Sequence, residues 1–248
     1  MPVKSPANSP SHDAPAVEAK EIVKTFQVGN NRIEVLRNVS LRVNVGEKLF
    51  LCGPSGAGKT TLLYTLAGLE RPDQGGVFTY GRSFYGLNRR EQARLRGDSM
   101  GYVFQNFFLL PELTALENVL VPAMIRGRKA RDRALELLDR VGLGSRMAHL
   151  PTELSGGEQQ RVAIARSLIN DPSIIFADEP TGNLDSKTGS EVMDLLMTLA
   201  GEHQRTLLIV THDMELAETG DRKVMIIDGE IGKRLNQPGP AGLRPFSK

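Results

Sequence analysis

The stretch GPSGAGKT, at residues 53–60, decides the fold of this 248-residue chain. It follows the apolar run EKLFLCG, which predicts a buried strand, and it precedes GKTTLLYTLAGLERP, which predicts a helix that ends at Pro72. The spelling G-x-x-x-x-G-K-[ST] between a strand and a helix is typical of a loop whose backbone N–H groups surround phosphate oxygens. The residues expected to contact phosphate are Gly53, Pro54, Ser55, Gly56, Ala57, Gly58, Lys59 and Thr60.

Two side chains of this loop and two acids further along the chain have a predicted chemical role. We expect Lys59 to reach the β- and γ-phosphates of a nucleotide, and the Thr60 hydroxyl to bind Mg²⁺. SIIFADEP, residues 173–180, places Asp178 at the carboxyl end of a buried strand, where open α/β sheets bind ligands. Asp178 is expected to hold Mg²⁺ through water, and Glu179 to orient or deprotonate the attacking water. Alone, the two acids are also compatible with capping a turn.

Two more polar residues follow apolar strands. Gln105 ends GYVFQ, and His212 ends LLIVTH. Each has a plain alternative, which is a surface amide for Gln105 and a structural histidine for His212. The alternation of strands and helices predicts a parallel sheet, whose strands end at one edge. Four strand ends would then bring Lys59 and Thr60, Gln105, the two acids and His212 together, and this set indicates a catalytic site.

LSGGEQQ, at residues 154–160, is a second candidate for binding an anion. A serine and two glycines directly before a helix leave backbone N–H groups available to an anion. From the residues alone, the reason for two such turns in one chain stays open.

Composition and charge exclude several classes of protein. The net charge is only +2, which provides no strong field for a nucleic-acid backbone, so no nucleic-acid partner is expected. No stretch approaches the roughly 20 apolar residues of a membrane span, and the N-terminal residues lack the apolar run of a signal peptide. The single cysteine, Cys52, is expected to be a small buried hydrophobe in a reducing compartment. We expect a cytoplasmic protein that reaches a membrane only through a partner.

Taken in order, GPSGAGKT, GYVFQ, LSGGEQQRVAIARSL, SIIFADEP, GNLD and VTHD resemble the motifs of ATP-binding cassette (ABC) ATPases. The resemblance covers nearly the whole chain. It implies an α/β P-loop NTPase fold with a mixed sheet core, an antiparallel β subdomain and an α-helical subdomain at about residues 106–170. The ATPase domain is expected at residues 18–235, between a disordered tail at 1–17 and a C-terminal tail at 236–248.

The same resemblance implies that two copies pack head to tail, so that the LSGGE turn of each copy faces the phosphate loop of the other. Ser155 and the N–H groups of Gly156 and Gly157 would then contact the γ-phosphate of the ATP bound by the partner. Within one copy, Gln105 would sense Mg²⁺ and the attacking water, and His212 would touch the γ-phosphate. The other implied contacts are Thr61 to the α-phosphate, Asp185 across the dimer interface, and Phe26 stacked on adenine where the family usually has a tyrosine.

FQNFFLLPELTALENVLVPAMIRG (residues 104–127) and ADEPTGNLD (residues 177–185) are similar to the group of lipoprotein-releasing ATPases, macrolide exporters and the cell-division ATPase. The implied function is ATP hydrolysis that drives integral membrane subunits at the cytoplasmic face of the inner membrane. Lipoprotein release is the leading interpretation, with macrolide or peptide export and cell-division work as alternatives. Phe107, Phe108 and Leu109 would dock a helix of the membrane subunit, unless they are core residues.

Two wider alternatives stay open at this stage. One is a soluble ABC ATPase without a transport role, although the chain has one cassette and only a compact segment between Gln105 and Leu154. The other is a scaffold that binds ATP without hydrolysing it, as a two-state interaction module. The presence of Glu179, Gln105 and His212 together favours hydrolysis.

Overall fold

A computed structural model describes residues 14–232. Its strands, in chain order, are β1 (Val17–Val28), β2 (Asn31–Val43), β3 (Lys48–Cys52), β4 (Gln74–Thr79), β5 (Arg82–Ser83), β6 (Met100–Phe104), β7 (Ile174–Asp178), β8 (Thr206–Val210), β9 (Arg222–Ile227) and β10 (Glu230–Ile231). Its helices are α1 (Lys59–Leu66), α2 (Arg89–Ser99), α3 (Ala115–Ile125), α4 (Arg131–Arg140), α5 (Gly156–Leu168), α6 (Ser186–Gly201) and α7 (Met214–Ala217). Two 3₁₀ turns, Gly144–Arg146 and Pro151–Glu153, lie between α4 and α5.

A six-stranded sheet in the order β10-β9-β3-β8-β7-β6 forms the centre of the fold. Five of its strands pair in parallel, and β10 pairs antiparallel with β9 through a turn at Asp228 and Gly229. Phe104 pairs with Asp178, and Asp178 with Val210, so β6, β7 and β8 end at the same level. The predicted α/β class with a mixed sheet core is confirmed, and the strand ends share one edge.

Alternate residues of the central strands face two separate cores. Phe50, Ile175 and Ala177 pack with the layer of α3 to α6, whereas Leu51 and Phe176 pack with α1 and the second sheet. Because these strands are covered on both faces, β3, β7 and β8 have apolar residues at most successive positions and appear in the sequence as short apolar runs.

The second sheet is antiparallel, in the order β2-β1-β4-β5. In it, Val17 pairs with Val43 on one side and Thr79 on the other, and Ala16 and Val17 are fully buried. The predicted boundary after residue 17 is therefore too late, because these two apolar side chains belong to the core. Residues 1–13 and the predicted tail at 236–248 lie outside the described residues.

The helices differ from the prediction at two places. α1 ends at Leu66, well before Pro72, because Gly68 takes a left-handed conformation with φ 69° and its N–H returns to the carbonyl oxygen of Thr65. α2 is not predicted, since none of its residues is buried and its sequence has no apolar period; a capping box of Asn88 and Glu91 starts it. Between residues 14 and 232, no helix has both the length and the apolar character that a membrane crossing requires.

Candidate functional site

The phosphate loop turns tightly between β3 and α1, and glycine is required at both of its ends. Gly53 has φ 147°, and a Cβ there would lie 2.1 Å from the carbonyl oxygen of Ile226. Gly58 has φ 98°, and a Cβ there would lie 2.8 Å from the carbonyl oxygen of Val35. A side chain at either position would collide with backbone, so the shape of the loop is set by β9 and β2 as well as by its own sequence.

Lys59 is the first residue of α1, and its side chain folds back into the loop. The residue is only 6% exposed, and Nζ donates to the carbonyl oxygens of Gly53 and Pro54, both at 2.9 Å. An ammonium has three donors, so within the described residues one donor is left for a ligand. A buried cation at the N-terminus of a helix is a strong attraction for an anion.

Thr60 joins α1 to the end of β7. Its hydroxyl donates to Asp178 Oδ1 at 2.9 Å. Burial raises the pKa of Asp178, while hydrogen bonds from Thr60 and Tyr64 and the charge of Lys59 partly oppose the shift. Burial also raises the pKa of Tyr64, and the neighbouring Asp178 charge adds to the shift, so the Tyr64 hydroxyl stays a donor. Tyr64 is not among the predicted site residues, although its position four residues after Thr60 places it on the same helix face.

The donor set at this point fits Mg²⁺. A hydroxyl and a carboxylate are hard oxygen ligands, and Mg²⁺ is usually held by one or two such groups while water and phosphate oxygens complete its octahedron. Residues 14–232 contain no cluster of three or more His, Cys, Asp or Glu side chains that would hold a metal by itself. The arrangement of Thr60 and Asp178 is thus suited to a metal that arrives with a nucleotide.

Glu179 and His212 meet next to this pair. Glu179 Oε2 lies 3.4 Å from His212 Nδ1, and the His212 side chain is 69% exposed. Glu179 has φ 41°, which is strained for a glutamate, and its N–H donates to the carbonyl oxygen of Val210 at 3.1 Å. The bond to the end of β8 holds the strained residue in place, and the carboxylate and imidazole remain accessible to a ligand.

Gln105 follows β6 and lies close to the same carboxylate. A Cβ on Gly182 would lie 2.7 Å from Gln105 Nε2 and 3.2 Å from Glu179 Oε2, so both side chains converge on Gly182. Gln105 Nε2 donates to Asn183 Oδ1 at 3.2 Å, and Asn183 Nδ2 donates to the carbonyl oxygen of Gln105 at 3.0 Å. Asn183 is not a predicted site residue; its place within GNLD is the only signal in the sequence.

The LSGGE turn starts α5, with Ser155 as its N-cap. Ser155 Oγ accepts from the N–H of Glu158 at 3.3 Å, and Glu158 Oε2 accepts from the N–H of Ser155 at 2.8 Å. That backbone hydrogen bond is the main reason why the pKa of Glu158 lies below its usual range. Gly157 is required by packing, because a Cβ there would lie 2.4 Å from Thr188 Cγ2. A Cβ on Gly156 would meet Leu184 Cδ2 at 3.3 Å.

The structure brings most, but not all, of the predicted residues together. Within residues 14–232, no hydrogen bond or ion pair connects residues 155–157 with residues 53–60. Asp185 caps α6 and accepts from the N–H of Thr188 at 3.1 Å, and hydrogen bonds from Thr188 lower the pKa of Asp185. Phe26, in β1, is 37% exposed, with Lys24 Nζ 5.0 Å from its ring centroid. Thr61 is half-buried in the first turn of α1.

The segment after Gln105 has an unusual backbone. Phe107 and Phe108 are consecutive left-handed residues, with φ 58° and 46°. Arg166, in the last turn of α5, donates to both of their carbonyl oxygens, at 2.6 and 2.5 Å. Burial lowers the pKa of Arg166 to about 10, which still leaves the guanidinium charged at neutral pH. Arg166 is not a predicted site residue, and its partners lie 58 and 59 residues away along the chain.

The side chains of this segment point in different directions. Phe108 is 58% and Leu110 46% exposed, whereas Phe107 is half-buried and Leu109 packs against the helical core. Phe104 and Phe108 meet edge to face with centroids 5.2 Å apart. Beside them lies a cavity of about 340 Å³, lined by residues that include Leu69, Tyr102, Phe104, Phe108, Pro122 and Arg166.

Comparison with known proteins gives a consistent result. The sequence profile of the family described as "ABC transporter" matches residues 36–182. The chain is 47% identical over 222 residues to the lipoprotein-releasing system ATP-binding protein LolD of Alcanivorax borkumensis, covering 88% of this chain and 97% of the relative. It is 45% identical to the uncharacterized ABC transporter ATP-binding protein YbbA of Escherichia coli K12, covering 87% of this chain and 96% of the relative.

A solved structure agrees with these sequences. The dimeric post-hydrolysis state of the ATP-binding cassette MJ0796, bound to ADP and Pi, has a TM-score of 0.82 and 43% identity, covering 93% of this chain and 100% of that chain. The family profile spans more than half of the chain, and the order of motifs and the two-sheet fold agree with it. The chain therefore belongs to the ABC transporter family, as an ATP-binding subunit that hydrolyses ATP.

Proposed function

We propose that this chain is the ATPase of an inner-membrane complex of the lipoprotein-releasing type, and that it drives its membrane subunits by ATP-dependent closure of a head-to-tail dimer. The observation that carries the proposal is the 47% identity to a LolD protein over 88% of the chain. The geometry supports it, because every predicted catalytic side chain lies at the edge where β6, β7 and β8 end.

The phosphate loop and its surroundings handle the nucleotide. Backbone N–H groups of residues 53–60 and the remaining donor of Lys59 bind the β- and γ-phosphates, and Thr61 lies next to the α-phosphate. Phe26 stacks on adenine with the ring face opposite Lys24. Thr60, Asp178 and Gln105 would hold Mg²⁺, which would neutralise charge on the nucleotide phosphates.

Hydrolysis uses the carboxylate that follows β7. Glu179 accepts a proton from the attacking water, and the O–P bond to the leaving ADP breaks as the water oxygen bonds to phosphorus. His212, 3.4 Å from Glu179, donates to the γ-phosphate and keeps the carboxylate oriented. Gln105 reaches the same point from β6, on the other side of Gly182. These groups act chiefly by positioning, as expected for phosphoryl transfer.

The second half of the site comes from another copy. Residues 155–157 present the N-terminus of a 13-residue helix and are not bonded to their own phosphate loop within the described part of the chain. Such a terminus attracts anions, and the γ-phosphate held by a second copy is the anion that we assign to it. Asp185, exposed at the start of α6, lies across the same interface. The related MJ0796 cassette is dimeric in its solved structure.

The membrane subunits dock beside Gln105. Exposed Phe108 and Leu110, next to the 340 Å³ cavity, form an apolar surface that a cytoplasmic helix of a membrane subunit covers. This contact would place the chain at the cytoplasmic face of the inner membrane. The segment at residues 106–170, which includes α3, α4 and α5, acts as the helical subdomain of the ATPase domain.

Purification from membranes tests the proposal. The tagged full-length chain is extracted with mild detergent, its membrane partners are identified by mass spectrometry, and the complex is reconstituted in vesicles that contain a radiolabelled lipoprotein. We expect two copies of this chain in each complex, and ATP-dependent release of the lipoprotein from the vesicles. Recovery of the chain without any membrane subunit, or a complex that hydrolyses ATP and retains the lipoprotein, would overturn it.

A further inference from the structure

We infer that Asn183 is a positioning residue for Gln105. Through Asn183, the orientation of the Gln105 side-chain amide depends on the conformation of residues 182–185. The inference rests on the proposed role of Gln105 at Mg²⁺ and the attacking water. It adds a residue that neither the motif pattern nor the comparisons assign.

The first support is the number of hydrogen bonds that one carboxamide makes to the segment after β6. Asn183 Oδ1 accepts a hydrogen bond from Gln105 Nε2 at 3.2 Å, and this contact fixes the orientation of the Gln105 side-chain amide. Asn183 Nδ2 donates to the carbonyl oxygen of Gln105 at 3.0 Å and to Asn106 Oδ1 at 3.1 Å. Side chain and backbone of Gln105 are therefore held by the same group, 78 residues away along the chain.

The second support is the place of Asn183 between two site residues. The segment starts at Glu179, whose strained backbone is bonded to β8, and it ends at Asp185, the N-cap of α6. Gly182 N donates to the carbonyl oxygen of Glu179 at 3.0 Å, which closes a turn directly before Asn183. A shift of the segment at Asp185 would therefore move Asn183 and change its contact with the Gln105 amide.

The third support is the strength of the contact. Asn183 is exposed and Gln105 is half-buried, so water competes for each of these hydrogen bonds. A solvent-exposed amide contact adds little to the free energy of folding, and it breaks and re-forms easily. That property suits a contact that orients a side chain in one state of a reaction cycle, and it does not suit a contact that holds the fold together.

The geometry also supplies an independent variant. Gly182 does not have a positive φ, so alanine is compatible with its backbone, but the added Cβ would lie 2.7 Å from Gln105 Nε2. Gly182→Ala should therefore displace chiefly the Gln105 amide, which is the closer group, since Glu179 Oε2 would lie 3.2 Å from the same Cβ. It should reproduce the effect of Asn183→Ala through a different atom.

The experiment measures steady-state ATP hydrolysis by the purified full-length chain as a function of ATP and of Mg²⁺. For Asn183→Ala we expect a fall in kcat of about tenfold and a several-fold higher Mg²⁺ concentration at half-maximal rate, as for the loss of one positioned hydrogen bond. The KM for ATP and the thermal midpoint should stay unchanged. Gly182→Ala should give the same pattern, and Lys187→Ala, an exposed control at the start of α6, should behave as wild type.

A double-mutant cycle with Gln105→Ala separates this inference from the proposed function. If Asn183 acts through Gln105, Asn183→Ala has no further effect on kcat in the Gln105→Ala background. Additive losses, or a wild-type Mg²⁺ dependence of Asn183→Ala, would overturn the inference while leaving the role of Gln105 intact. A Gln105→Ala enzyme with normal turnover would instead overturn the proposed role of Gln105, and the inference with it.

Discussion

The chain contains two turns built to meet an anion, and they differ in completeness. The phosphate loop has its cation, its hydroxyl and its acid already assembled, since Lys59 is folded into the turn and Thr60 is bonded to Asp178. At the LSGGE turn, the Ser155 hydroxyl caps its own helix, and within residues 14–232 no side chain of the phosphate loop is bonded to this turn. The two turns are therefore not equivalent. The phosphate loop already holds its own polar partners, whereas we propose that the LSGGE turn acts together with the phosphate loop of a second copy.

The largest expected effect on ATP turnover comes from a substitution on the phosphate-loop side of the site. Replacing Glu179 by Gln removes the proposed base and keeps the size of the side chain, so turnover should fall about a thousandfold. ATP binding should persist, and ATP should now hold a stable dimer, visible by size-exclusion chromatography coupled to light scattering. Glu136→Gln, on the exposed side of α4, serves as the control. Normal ATP hydrolysis by the Glu179 variant would show that the base is elsewhere.

The next largest effect on ATP turnover comes from a substitution in the LSGGE turn. Ser155→Arg places a long side chain where the γ-phosphate of the partner's ATP is expected, and turnover should fall about a hundredfold, the scale for losing an anion-binding donor. Binding of a fluorescent ATP analogue to the monomer should stay within twofold of wild type. Loss of nucleotide binding by the Ser155→Arg monomer would contradict the assignment of the two halves to two copies.

Mixing two inactive variants tests whether the phosphate loop and the LSGGE turn act in different copies. Lys59→Ala destroys the phosphate loop and keeps the LSGGE turn, whereas Ser155→Arg does the reverse. In the Glu179→Gln background, neither variant should dimerise with ATP alone, but their mixture should, because a heterodimer contains one intact composite site. Native mass spectrometry would count one ATP per heterodimer. Two ATP molecules, or homodimers of the Ser155 variant, would contradict the head-to-tail arrangement.

A smaller effect distinguishes the two glycines of the LSGGE turn. Gly157→Ala should lower the free energy of unfolding by about 1–3 kcal/mol, since its Cβ would overlap Thr188 Cγ2 at 2.4 Å. Gly156→Ala, whose Cβ would have its nearest contact with a leucine side chain at 3.3 Å, should cost less. Urea denaturation measures both. Adding Thr188→Ser, which deletes the obstructing methyl, should restore the stability of the Gly157 variant; failure to do so would mean that packing is not the reason for this glycine.

The smallest expected effect is a change in stability at Asp178, the acid beside the phosphate loop. Because burial raises the folded-state pKa of Asp178 above its unfolded value, ionisation of Asp178 destabilises the fold as the pH rises from about 4, the ordinary carboxyl pKa. Asp178→Asn should therefore be more stable than wild type at pH 7, and the difference should shrink as the pH falls towards 4. Thermal unfolding at several pH values without nucleotide measures it. An Asn variant less stable than wild type at pH 7 would show that the hydrogen bonds to Thr60 and Tyr64 outweigh burial.

Local patterns account for most of what could be predicted from the sequence. A glycine-rich turn between an apolar strand and a helix can be recognised from neighbouring residues in the sequence. The same holds for the polar residues that follow β6, β7 and β8. Their convergence follows from parallel pairing, which a βα alternation requires. The start of β1 was harder, because Ala16 is buried by strands that are distant in the sequence.

Two of the site residues that escaped prediction, Asn183 and Arg166, depend on contacts between distant segments. Asn183 meets Gln105 across 78 residues, and Arg166 meets Phe107 across 59. Neither residue type has a local signal for such a role, since asparagine is common in turns and arginine is common at the end of a helix. α2 escaped for a different reason, because a helix without a buried face has no apolar period.

Arg166 is one of two places at which α5 contacts the segment after Gln105. α5 has 13 residues and is about 20 Å long, with Ser155 capping one end and Arg166 in the last turn at the other. Arg166 grips the backbone of Phe107 and Phe108, and the Phe107 ring reaches back towards Gly156, with its Cζ 3.8 Å from where a Cβ on that glycine would be. Residues 107 and 108 therefore contact α5 near both of its ends, so a displacement of this segment would act on the turn at Ser155 as well as on Arg166.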